Sequence, residues 1–286
     1  MKSSYYKYFA ALLLFGSNGI VASNINLPSY EIVLLRLLLG SLFLITVFTV
    51  SRQRFTFYRN KHTCLYLFIS ASAMGASWML LYEAYQQVGV SIASLVYYCG
   101  PVIVMILSPF LFRETLTWPK IAGFLTVLAG MCLVNLQALD EGKTIWGLFC
   151  GLMSAFMYAL MVTANKKAKP ESGLENSLLQ LVIGSFIVVA FVSMQKNFVL
   201  SLTTIDWIPV LLLGLLNTGI GCYLYFSSIT DLPVQTVAIC GYLEPLSAVV
   251  FSVLFLHEVL LPLQMLGAVL ILGGAIFGEC FNPEKQ

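Results

Sequence analysis

Charge is what this chain has least of. Of 286 residues, 15 are Lys or Arg and 13 are Asp or Glu, about a tenth where a soluble domain carries roughly a quarter. A water-facing surface cannot be built from so few. The net charge of +2 is too small and too scattered for nucleic-acid binding. Only two histidines occur, His62 and His257, and no HExxH or Cys/His cluster surrounds them, so no metal site is expected. A GxxxxGK[ST] phosphate loop is missing, which argues against ATP as an energy source. Gly75-Ala-Ser-Trp78 is not a nucleophile elbow and no Ser/His arrangement accompanies it. An intramembrane enzyme is therefore disfavoured, and no cofactor is implied. The seven cysteines are odd in number and sit within or at the ends of apolar runs. They read as small packing residues, not as a disulfide framework.

What the chain has instead is apolar length. Hydrophobic residues make up 59% and mean hydropathy is +0.89. Charge-poor runs fall at about 5–23, 30–50, 64–86, 91–112, 118–138, 144–165, 174–195, 206–229, 233–256 and 261–280; they are numbered here as spans 1 to 10. Each is long enough to cross hydrocarbon as a helix, the open-chain element that satisfies its own backbone there. A membrane barrel would show short alternating segments instead. Ten such helices use roughly 200 residues and leave no room for a folded extramembrane domain. Span 1 has the look of a signal peptide, with Lys2 and Lys7 at its start, but no small-residue cleavage site follows it. With the N-terminus taken as cytoplasmic, twelve loop cations fall on that side against Lys143 and Lys196 on the other. That bias predicts both termini inside.

The chain also matches itself at a shift of 144 residues. Glu31, Leu34, Leu35, Leu37, Gly40 and Ser41 fall on Glu175, Leu178, Leu179, Leu181, Gly184 and Ser185. Further along, Pro101, Ser108, Glu114, Gly123 and Gly130 fall on Pro245, Ser252, Glu258, Gly267 and Gly274. Five spans per copy is an odd number, so the second copy must enter the membrane the other way up. The expected fold is an all-α integral membrane protein of ten transmembrane helices in two inverted five-helix repeats, residues 1–138 and 144–280, joined near 139–143. Inverted repeats of this kind typify secondary transporters, in which two half-structures exchange conformations about a central site.

These residues resemble the drug/metabolite transporter superfamily, in its EamA-type ten-helix members. The resemblance lies in a Pro in the fourth helix, an apolar stretch closed by a Glu, and a Gly-rich fifth helix. Here that reads Pro101…Arg113-Glu114…Gly123…Gly130 and again Glu244-Pro245…His257-Glu258…Gly267…Gly274. Where a family copy often has Gly before the closing Glu, this chain has Arg113 and His257. The resemblance implies a metabolite carrier, commonly an exporter of amino acids or related compounds, in a bacterial plasma membrane. Multidrug efflux is the competing carrier reading, and an intramembrane enzyme or receptor the competing class.

Candidate site residues follow from charge and polarity inside spans. Glu244 sits near the middle of span 9, where a charged carboxylate costs about 2.5–3.5 kcal/mol on insertion scales. It is the candidate substrate ligand and proton-coupling group. Pro245 leaves the carbonyl of Gly241 without its helical donor. Pro101 and Pro245 are candidate hinges. Arg36 is a snorkelling cation or a structural partner of Glu83, or else a clamp for a substrate carboxylate. Trp78, Tyr82, Tyr97, Tyr158 and Tyr242 suit a cavity for a partly apolar ligand, and Asn18 and Asn217 offer buried amides. Close approach at Gly274-xxx-Gly278 serves packing within a monomer or a homodimer through span 10. Expected partners are the lipid bilayer, a small-molecule substrate and protons.

Overall fold

The structure is a computed structural model that describes residues 2–25, 27–88, 93, 96–135, 145–194, 207–256 and 262–280. The expected join near 139–143, the cations Lys143, Lys196 and Lys285, and the His257–Glu258 turn lie outside these residues. Helix occupies each of the ten expected spans, and no strand occurs among the described residues. Six helical stretches are long and apolar enough to cross a bilayer, and shorter apolar helices run over Cys99–Phe112, Trp118–Leu133 and Met265–Gly278.

Polarity is inside out relative to a water-soluble bundle. Ser70, Ser77, Ser154, Asn165, Asn176 and Gln180 are fully buried, while Leu42, Phe149, Phe156, Phe186 and Val269 are exposed. Lipid accepts apolar side chains as readily as a core does, so buried polar groups bond between helices instead. Ser77 and Ser154 each donate to the other's carbonyl, at 2.9 and 2.7 Å, joining span 3 to span 6. Asn165 and Asn176 exchange side-chain amide bonds at 2.9 and 3.1 Å. Span 1 is part of this core, because Tyr8, Ala11 and Leu12 are buried in it.

Three departures from straight helix matter for the site. Span 1 is interrupted at Ser17, between Lys2–Gly16 and Asn18–Ser23. Span 8 passes through a nine-residue π-helical stretch, Leu212–Ile220. Span 9 is two helices, Val234–Gly241 and Leu243–Leu256, with a turn at Tyr242. The first two departures are tied together: Asn217, in the π stretch, donates to Leu14 O and Asn18 Oδ1 at 2.9 and 3.0 Å, and to Ser17 Oγ.

The repeat is visible in how spans 5 and 10 pack. A methyl placed on Gly123 would lie 2.5 Å from Gly274 O, and one on Gly130 would lie 2.6 Å from Gly267 O. Gly123 corresponds to Gly267 and Gly130 to Gly274 in the shifted alignment, so the two contacts are one contact seen twice. Moving seven residues forward along span 5 moves seven backward along span 10. The equivalent helices are therefore antiparallel, as an inverted duplication requires. Gly274 and Gly278 both face span 5 of the same chain.

Candidate functional site

The prolines of spans 4 and 9 break their helices at equivalent places. Neither ring nitrogen can donate to the carbonyl one turn earlier. The chain turns at Tyr98 with φ −69° and ψ 0°, and at Tyr242 with φ −71° and ψ −6°. These residues are 144 apart, and they touch. Tyr242 Oη donates to Tyr98 O at 2.7 Å, and the two ring centroids are 6.3 Å apart. The two broken helices thus meet at the pseudo-two-fold axis, each break three residues before its proline.

Glu244 follows the second break directly. A methyl placed on Gly241, three residues before Glu244, would lie 3.4 Å from Tyr8 Oη and 3.8 Å from Tyr158 Oη, and Tyr97 packs on both Tyr158 and Tyr98. These tyrosines come from spans 1, 4 and 6, and they lean on one another. The Tyr97 and Tyr158 rings meet edge-on at 5.5 Å, and Tyr158 Oη is 3.4 Å from Tyr225 Oη. Tyr8 Oη donates to Val237 O at 2.8 Å. At Gly100, the repeat equivalent of Glu244, an added methyl would lie 2.7 Å from the Tyr158 ring. The asymmetry has a steric basis: one repeat fills with an aromatic ring the place that the other gives to an acid.

Arg36 lies inside span 2, on the helix Ser29–Val50. It is buried, its Nε donates to Thr218 Oγ1 at 2.9 Å, and its guanidinium carbon lies 4.5 Å from the centre of the Trp78 ring. The expected ion pair with Glu83 is not formed. Glu83 instead accepts from Gln87 Nε2 and Trp146 Nε1, both at 3.2 Å. Thr218 is presented by the π stretch and donates five residues back to Leu213 O at 2.8 Å, which is how the extra residue of that turn aims it at Arg36.

Of the expected site residues, ring contacts join Tyr97 to Tyr158 and, through Tyr98, to Tyr242 at the breaks beside Glu244, Pro101 and Pro245, and Arg36 is joined to Trp78. Tyr82 stands apart, in a recess shared with Tyr30, Glu83 and Gln86. Asn18 and Asn217 bond to each other and serve the joint between spans 1 and 8. Sequence reasoning missed Tyr8 and Thr218. Tyr8 sits beside Lys7 near the chain start, where an interfacial tyrosine would be expected. Thr218 carries no signal beyond its neighbour Asn217.

The end of the bundle that carries the basic loops is tied by side chains on helix ends. Glu114 accepts from Val234 N and Gln235 N at 2.7 and 3.1 Å, capping the first helix of span 9 with the charge its dipole favours. Glu175 accepts from Thr56 N, Phe57 N and Thr56 Oγ1 at 2.6, 2.9 and 2.6 Å. Lys166 donates to the carbonyls of Ile229, Thr230 and Leu232. Glu114, the closing acid of the first repeat, and Glu175, the repeat counterpart of Glu31, both bond across from one repeat to the other.

The sequence model of the EamA-like transporter family matches residues 3–136 and again 145–278. An uncharacterized transporter of Bacillus subtilis, YxxF, is 28% identical over 275 residues, covering 94% of this chain and 86% of its own. The threonine/homoserine exporter RhtA of Escherichia coli K12 is 26% identical over 253 residues, covering 88% and 82%. One solved crystal structure superposes on 97% of this chain and 98% of its own with a TM-score of 0.81 at 18% identity, a likeness that shows the fold alone.

Proposed function

Because the chain belongs to the EamA-like transporter family, and is a multi-pass membrane transporter on that ground, we propose that it exports small organic metabolites, amino acids or related compounds, by alternating access. The observation that carries this reading is the meeting of the two equivalent breaks, Tyr98 against Tyr242, beside an intramembrane carboxylate. A site on the pseudo-two-fold axis is equally placed for opening to either face. Likeness to a threonine/homoserine exporter supports amino-acid-like cargo and the outward direction. Both termini lie in the cytoplasm of a bacterial cell, on the loop-charge bias, so the tied end is the inner gate.

Glu244 is the proton-coupling group in this account, and Arg36, Trp78, Tyr97, Tyr158 and Tyr242 line the cargo site with it. Reconstituted vesicles loaded with a metabolite panel test the proposal. Outward flux that accelerates with an opposing proton gradient is expected for the native chain. Glu244→Gln should abolish the acceleration by the gradient while exchange without a gradient persists. Gradient-driven flux surviving in Glu244→Gln removes the coupling role, and no flux of any metabolite removes the carrier reading.

A further inference from the structure

We propose that the basic end of the bundle holds the phosphate of an anionic phospholipid head group, in a cavity where the loop before span 3 meets the turn after span 6. The site is separate from the broken helices at the centre and does not rest on the cargo reading. The cavity has a volume of about 220 Å³. Pockets that enclose a drug-sized ligand run from about 300 to 1,000 Å³, so this one has room for a head group whose chains lie outside it. Asn60, His62 and Thr63 line it from the first repeat, Lys167 and Lys169 line it from the second, and the buried Leu67 adds an apolar wall. An occupant therefore touches both repeats.

Local structure gathers the donors. Tyr66, one turn after His62, meets the His62 ring at 4.5 Å, and Lys167 Nζ lies over the Tyr66 ring at 6.0 Å. One aromatic ring thus carries an imidazole from span 3 and an ammonium from span 6. Thr63 Oγ1 donates to Ala168 O at 3.0 Å and ties the two walls together. Lys169 follows the span 6 helix in the left-handed region, at φ 47°, a conformation that glycine adopts without strain, and from there it lines the same cavity as Lys167. The charge balance favours an anion. Glu175 also lines the cavity, but Thr56 N and Phe57 N donate to its Oε1 and Thr56 Oγ1 to its Oε2, so both of its oxygens are occupied. Glu171 is the other lining acid, and it is exposed to water, which screens it. Against these stand Lys167 and Lys169 on the lining, with Arg52, Arg54, Arg59 and Lys61 exposed on the loop that leads to it. Ammonium and imidazole N–H groups are matched donors for phosphate oxygens. A lipid is favoured over a free ion because Leu65 and Phe68, on the same turns of span 3, are exposed and give acyl chains an apolar surface beside the cavity. Clusters of about four to eight cations next to a spanning helix attract anionic head groups in this way.

The test titrates the purified full chain, in a neutral detergent, with dihexanoyl phosphatidylglycerol, dihexanoyl phosphatidylcholine and inorganic phosphate, and counts bound lipid by native mass spectrometry. Phosphatidylglycerol should bind about tenfold or more tightly than phosphatidylcholine, whose head group carries its own cation. Millimolar inorganic phosphate should not displace it. Lys167→Gln with Lys169→Gln should remove the preference, and Lys167→Arg with Lys169→Arg should keep it. Arg52→Gln with Arg54→Gln takes the same charge from outside the cavity and should leave most of the preference in place. Equal affinity for the two lipids, or equal losses from the two Gln pairs, overturns the inference, because basic surface alone would then account for binding. Displacement by millimolar phosphate assigns the cavity to a free anion and overturns the lipid source. The comparison of lipids on the native chain stands even where a variant does not fold. Phosphatidylglycerol preference in a chain that carries no metabolite would retain this site and remove the carrier reading, and flux without lipid preference would do the reverse.

Discussion

Arg113 ends the second helix of span 4 in the left-handed region, at φ 56°. A side chain with a Cβ is strained there by about 1 kcal/mol or more, and glycine is not. The resemblance noted in the sequence has Gly at this place, and the backbone supplies the reason. Arg113→Gly should therefore stabilise the protein by about 0.5–1 kcal/mol, since the relief of strain outweighs the extra freedom of glycine in the unfolded chain. Thermal unfolding in detergent reads this as a rise of a few degrees, and a fall would mean the Arg113 side chain contributes more than its backbone loses. The same scale explains why Arg36 was ambiguous in the sequence. A cation inside a span announces that it needs a partner, but Thr218 and Trp78 come from spans 8 and 3, and no spacing along the chain relates them to Arg36.

At the scale of elements, spans were legible because continuous apolar runs have one solution in hydrocarbon. The break at Tyr242 was legible too, since a proline three residues on removes a ladder bond. The interruption at Ser17 and the π stretch at Leu212–Ile220 were not. Both depend on Asn217 bonding Leu14, Ser17 and Asn18 across nearly 200 residues, and local sequence carries no trace of that. Spans 5 and 10 provide a sharp test of packing. Gly123→Leu must push span 10 away, because even a methyl there would lie 2.5 Å from Gly274 O, and overpacking of this kind costs about 1–3 kcal/mol or more. Leu125→Val, on the exposed face of the same span, should leave the melting temperature nearly unchanged. Comparable losses from both would show that the glycine contact does not hold the repeats together. For spans 4 and 9, replacing Pro101 and Pro245 together with Ala restores two backbone donors and should stiffen the breaks. Slower exchange of labelled substrate across vesicles at unchanged binding affinity is the expected outcome, and an unchanged rate removes the hinge role.

For the whole molecule, the duplication does most to shape the site. It places Tyr98 against its counterpart Tyr242, and it makes the contact of Gly123 with Gly274 equivalent to that of Gly130 with Gly267. The 144-residue shift could be read directly from Pro101, Glu114 and Gly123 with their counterparts. What it could not give is which equivalent residues lie on the axis, because that is set by how the two copies dock. Nor could it reveal that Tyr158 takes up the space at Gly100, the repeat counterpart of Glu244.

Sidedness of the two closing turns bears on all of this at once. Single cysteines placed at Arg113 and at His257, in a chain otherwise free of cysteine, can be labelled in intact cells with a reagent that does not cross membranes. Modification at 257 and protection at 113 is the outcome expected of copies inserted in opposite senses. Equal modification of the two positions would contradict the inverted duplication, and with it the shared axis on which the transport site has been placed.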